Sequence, residues 1–169
     1  MATQPQQGLN LFSQQPILGQ AAFTNPGALQ VIQAVVSATG SPSLVPGQAI
    51  QFDSAITTAP SGLPPIVAAS GTQYADGYIL YDVKAGGALT AGTVVQIVLG
   101  GILWMLSEAA ISIGAQLQDG ADAGGVATFA TTSYYPRGVA LDYASASGQM
   151  IRCNMQPAIA KAVVAAAHA

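Results

Sequence analysis

The sequence predicts an all-β protein: a small β-barrel or sandwich with an extended N-terminal arm and a short Ala-rich C-terminal tail. Three observations carry that prediction. Turn-forming Gly, Pro, Asn and Asp recur every 8 to 15 residues, a spacing that suits short strands. The segments between them are rich in Val, Ile, Leu and Tyr, and no amphipathic helical window of a dozen residues occurs before position 157. The chain is 169 residues long and 51% hydrophobic, enough for one domain with its own core.

Residues 1–28 form the predicted arm. They are rich in Gln, Pro, Gly and Asn, and Pro5, Pro16 and Pro26 block a regular helix or a central strand. Leu9, Leu11, Phe12, Ile17, Leu18 and Phe23 are scattered among them. An uncharged segment that carries apolar residues but cannot build its own core is expected to lie across another surface. These six side chains are therefore candidate partner contacts.

The β domain is expected over 29–156. "ALQVIQAVVSA" (28–38) opens it, and the turn in "SPSLVPGQAIQF" leads to a strand near 48–52. Another follows near 65–69, after "APSGLPP". "DGYILYDV" (76–83) alternates, with Tyr78, Leu80 and Asp82 on one face and Ile79, Tyr81 and Val83 on the other. After the apolar stretch 94–106 come strands near 110–118, at 126–130, at 137–145 and at 148–155. No internal repeat stands out. The tail, 157–169, is Ala-rich, and Pro157 suits the first turn of a short helix.

"TVVQIVLGGILWML" (93–106) is the most apolar stretch, inside a 23-residue window without charge between Lys84 and Glu108. A membrane helix needs about 20 predominantly apolar residues. Here the dense run, 94–106, has 13 residues and Gly100-Gly101 at its centre, so no membrane span is expected. Two β-favouring runs around Gly-Gly predict a hairpin, because both central positions of a type I′ turn need positive φ. Both faces of that hairpin would be apolar, so one face is expected to fill the barrel and the other to meet another subunit. Val98 and Met105 mark those faces.

Only 7% of residues are charged, against about 25% in an average soluble domain, and 2–52 carry no charge at all. Dispersed charge keeps proteins apart, so this composition points to an obligate assembly. The net charge of −3 and the four scattered basic residues, Lys84, Arg137, Arg152 and Lys161, argue against nucleic acid. The N-terminus has neither a basic n-region nor a continuous apolar run, so no secretory signal is expected and synthesis belongs in a cytoplasm.

No reactive constellation is present, and no enzyme activity or cofactor is expected. The lone histidine, His168, sits in the tail, which leaves Cys153 and every serine without a base. Metal-ligand spacing and phosphate-binding glycine motifs are both missing. "DGADAGG" (119–125) lacks the spacing of a calcium loop and reads as a turn. "SYYPRG" (133–138) joins Tyr134 and Tyr135 to an arginine, residue types enriched at interface hot spots.

From about Tyr78 to Met155, the order of elements resembles the small β-barrel decoration, or cement, proteins of tailed-phage heads. The resemblance rests on "ALTAGTVVQIVLGGILWML", "AAISIGAQLQ" and "PRGVALDYASASGQMIRCNM". It implies a non-enzymatic homotrimer on the capsid surface of a virion, binding across neighbouring major capsid protein subunits with the arm. Two other readings stand beside it. One is a different virion β-module, such as a fibre, tail or minor capsid component. The other is a carbohydrate-binding sandwich with Trp104, Tyr134 and Tyr135 as a stacking platform. A hydrolase on a β scaffold is disfavoured by the missing histidine and acid pairs.

Overall fold

The apolar stretch is one unbroken strand. In the computed structural model, which describes residues 18–20, 30–39, 43–56, 62–69, 74–80, 88–130 and 135–156, it runs as the 14-residue strand Val94–Ser107. Around it the strands in order are β1 (Gln30–Val36), β2 (Ala49–Phe52), β3 (Pro65–Ala68), β4 (Gly77–Ile79), β5 (Val94–Ser107), β6 (Gln116–Asp119), β7 (Gly125–Thr128), β8 (Gly138–Ala140) and β9 (Met150–Met155). Among the described residues there is no helix, and the all-β class is as the sequence predicts.

The predicted hairpin at Gly100-Gly101 is therefore corrected. Instead of folding back on each other, the two halves of β5 find separate partners. Residues 94–100 pair antiparallel with β1 and β4, whereas 101–106 pair antiparallel with β9. Gly101 has φ 140, a conformation that L side chains rarely adopt. At this point the strand passes from one barrel to the next. The glycine pair supplies the conformational freedom the sequence suggested, but as a mid-strand bend.

The nine strands follow the order β1-β3-β2-β4-β5-β7-β6-β8-β9, and the further pairings β1–β5 and β5–β9 close both ends of that order onto β5. Two five-stranded barrels result, sharing the long strand. Closure leaves few free edges.

The two barrels have the same connectivity. β1 runs parallel to β3 and antiparallel to the first half of β5; the second half of β5 runs parallel to β7 and antiparallel to β9. β2 lies between β3 and β4, as β6 lies between β7 and β8. Loop details repeat as well. The bridge Leu44–Leu89 matches Ile111–Ala144. Gly47 donates its N–H to Ile79 at 2.8 Å, and Gly114 does the same to Ala140 at 2.8 Å. An internal structural repeat is thus present where the sequence shows none. The halves share burial, in pairs such as Ile50 with Leu117 and Ile97 with Cys153, and a few identities such as the positive-φ glycines Gly47 with Gly114 and Gly92 with Gly148.

Each barrel is filled by its inward residues. Ile50, Ile66, Ile79, Val95 and Ile97 belong to the first core; Leu103, Met105, Leu117, Val126, Ile151 and Cys153 belong to the second. The second cluster also contains Ala49, Ala75, Tyr78 and Val98, which come from the first barrel. The barrels are therefore packed on one another through a shared apolar junction.

Candidate interaction surface

The junction between the barrels is where the chain's unusual residues converge. Tyr78 on β4 lies opposite Ala49 and Val98 and is fully buried against the second core. Its hydroxyl has no hydrogen-bond partner among the described residues. Burial pushes the phenol's pKa well up; the Asp119 charge adds to the shift and Arg137 opposes it. Asp119 and Arg137 close the adjoining end of the second barrel. The Arg137 Nε and Nη2 groups both donate to Asp119 Oδ2, at 2.8 and 2.5 Å, and the arginine is buried. Desolvation outweighs the guanidinium and holds the Asp119 carboxyl above its usual range.

A small part of the predicted arm is seated in the same seam. Gly19 donates its N–H to the Trp104 carbonyl at 2.8 Å, and Trp104 donates back to the Gln20 carbonyl at 2.8 Å. Leu18 fills a slot whose walls are glycines. A Cβ on Gly47 would lie 2.9 Å from Leu18 Cγ, and one on Gly124 would lie 2.7 Å from Leu18 Cδ2. All of Gly19, Gly47 and Gly124 have positive φ, at 73, 77 and 81, so any side chain there meets both strain and collision. Beside this slot lies a cleft of about 250 Å³ between Gly47, Gln48, Ala49 and Ala69 of the first barrel and the loop 119–125 of the second. Glu108 shapes that loop, its carboxylate accepting the Ala121 and Asp122 N–H groups, both at 2.7 Å.

Of the candidate contact residues, Leu18 packs in its own chain's seam. Tyr135 stacks on Tyr74 across the barrels, ring centroids 4.7 Å apart and tilted by 50°. Val98 and Met105, expected on a face offered to another subunit, are instead buried within the chain. Val98 faces out of the first barrel but is covered by the second, and Met105 points into the second core. Leu9, Leu11, Phe12, Ile17, Phe23 and Tyr134 lie outside the described residues, as do Asp82, Lys84 and the tail 157–169. The residues the sequence reading missed are Tyr78, Gly47 and Gly124. Tyr78 was placed on an alternating strand, but no local signal separates a barrel face from a junction face.

The remaining chemistry is quiet. Cys153 is buried in the second core and desolvation pushes its thiol up to about 12, which keeps it protonated and inert. Among the described residues no group of three His, Cys, Asp or Glu side chains could hold a metal ion, and no helix is long and apolar enough to cross a membrane. Arg152 and Asp142 form a partly exposed ion pair on the outer face of the second barrel.

No protein-family model matches the chain, and no curated protein matches it. Among solved structures, the chain resembles the N-terminal base of the head fibre protein gp8.5 of bacteriophage phi29. The TM-score is 0.51 with 14% identity over 76% of this chain and 95% of that one. At that identity the likeness concerns the fold alone.

Proposed function

We propose that this protein is a non-enzymatic structural component of a tailed-phage virion: a homotrimer that decorates the head and braces neighbouring major capsid protein subunits. The observation that carries this reading is the fold likeness to the base of a phage head fibre, which spans nearly all of that base. The composition supports it, since a chain with 7% charged residues and an uncharged stretch over 2–52 is suited to being covered by other protein. So does the seam, which fastens the chain at Leu18–Gln20, directly after the candidate contact residues Leu9, Leu11, Phe12 and Ile17 in the sequence. Weak contacts of that kind gain from repetition over a lattice.

The fibre reading has its own support, because the similar structure is itself a fibre base. In that case the protein is attached to the virion at one end and displays further material from the other.

Cosedimentation with purified, expanded phage heads tests the first reading. The full chain should pellet with heads at saturating, symmetry-related copy number, and a chain lacking residues 2–17 should stay folded but remain in the supernatant. Binding to tails alone, or unimpaired head binding by the truncated chain, would refute the arm-mediated bracing. The truncation stops before Leu18 because 18–20 belong to the folded seam.

A further inference from the structure

The repeated connectivity allows every residue at the junction to be matched, by strand register, with a counterpart in the other barrel. The first barrel contributes a flank to the junction: Ala49, Tyr78 and Val98, all buried. Their counterparts on the second barrel are Gln116, Val139 and Asn154. Gln116 and Val139 are exposed, Val139 by 37%, and Asn154 is half-buried. Beside them, the turn that matches Pro46-Gly47 is Ile113-Gly114. The first turn is covered by Leu18 and Gly19, whereas a Cβ at Gly114 would meet nothing. Ile113 is 68% exposed and Tyr143, next to the Ile111–Ala144 bridge, is 62% exposed.

The second barrel contributes an end to the junction, where Leu103 and Met155 are wholly buried beneath Tyr78 and Val98. The matching end of the first barrel has Ile32 and Leu99 in those places, and both are only partly buried. Phe52, the counterpart of Asp119, is 39% exposed, and Val31, which precedes Ile32 on β1, is 40% exposed. Thus five of the six exposed large hydrophobic side chains among the described residues lie on two surfaces, the sixth being Val94. Those surfaces include the repeat counterparts of junction residues: Val139 corresponds to the buried Tyr78, and Phe52 to Asp119. Clustered exposed apolar residues mark interaction sites.

We propose that copies of this chain associate head to tail through these two surfaces, the Ile113–Val139–Tyr143 flank of one copy seating on the Val31–Phe52 end of the next. The contact repeats, between chains, the packing that joins the barrels within one. It is heterologous, so it closes into a ring or runs on according to the rotation between copies. A trimeric ring is the closed form that meets the proposed function. The inference rests on that reading only in taking the working form to be an assembly of identical subunits.

The test uses full-length protein sized by sedimentation equilibrium over a range of concentrations. Ile113→Asp disables the flank, and Phe52→Asp disables the end. Each variant alone should be monomeric while melting like the wild type. Mixed in equal amounts they should form a dimer and nothing larger, because only one intact flank and one intact end remain to meet. Tyr143→Asp and Val31→Asp, on the same surfaces, replace either variant that melts abnormally. Wild-type-sized oligomers from a single variant, or a mixture that stays monomeric, overturn the head-to-tail contact and leave the assembly reading intact. A wild type that is monomeric at every concentration overturns both.

Discussion

Tyr78→Phe removes a hydroxyl that is fully buried at the barrel junction and has no hydrogen-bond partner among the described residues. A buried polar group left unpaired costs about 1–3 kcal/mol, and the ring that fills the space is retained. The variant should therefore match the wild type or exceed it by about 1 kcal/mol, equivalent to about 2–4 °C in melting midpoint for a chain of this size. Tyr78→Ala leaves the ring's volume empty between two cores, and large-to-small changes of that kind cost about 3–5 kcal/mol. Urea titration followed by far-UV circular dichroism and by fluorescence separates the two effects. The single tryptophan, Trp104, lies in the half of β5 that belongs to the second barrel, so fluorescence reports that barrel while dichroism reports both. The transitions should coincide in the wild type and in Tyr78→Phe, and separate in Tyr78→Ala as the barrels uncouple. A Phe variant less stable than the wild type by more than about 1 kcal/mol would show that the phenol is partnered, and the account of the junction as an apolar plug would fail.

Gly101→Ala should destabilise by about 1–3 kcal/mol because its φ of 140 is strained for an L side chain. Gly100→Ala, whose Cβ would meet only the Met155 carbonyl at 3.6 Å, should cost less than about 1 kcal/mol; equal effects in denaturant melts would contradict the mid-strand bend. Cys153 should resist a thiol reagent at pH 8 in the folded protein and react at once in denaturant, given its burial and a pKa of about 12; fast labelling of the native state would place the thiol at the surface. Asp53 is held below its usual pKa by the Ser37 and Thr39 hydroxyls, which donate to it at 2.6 and 2.7 Å, and Asp142 is held low by Arg152. A depressed folded pKa contributes stability that is present above the unfolded value of 3.8 and is lost as pH falls through the folded one. The double variant Asp53→Asn, Asp142→Asn should therefore be less stable at neutral pH and show a flatter loss of stability below about pH 4; an unchanged acid slope would remove both carboxylates from the account.

The strands were legible because their signals are local. "SPSLVPGQAIQF" places a turn at Pro46-Gly47 and a strand after it, and β2 begins at Ala49. "GQMIRCNM" alternates, and β9 buries Ile151, Cys153 and Met155 on one side. Gly100-Gly101 misled for the opposite reason. A hairpin and a bend make the same demand on the glycines, and the choice between them is set by strands up to about 70 residues away along the sequence. The repeat was hidden because, a few turn glycines apart, the barrels share mainly inward apolar character, met by different side chains such as Ile50 and Leu117 or Val95 and Ile151.

By itself, then, the sequence determined that this chain is built of short strands separated by frequent turns and that few of its residues, 7%, are charged. Those properties follow from residue chemistry and nearest-neighbour geometry. Only the tertiary structure decided that there are two barrels rather than one, that Val98 and Met105 are both buried within the chain, and that Leu18 is gripped by glycines from both halves. The physical reason is that a strand has two faces and two edges, and which of them is covered depends on partners that are remote in the chain.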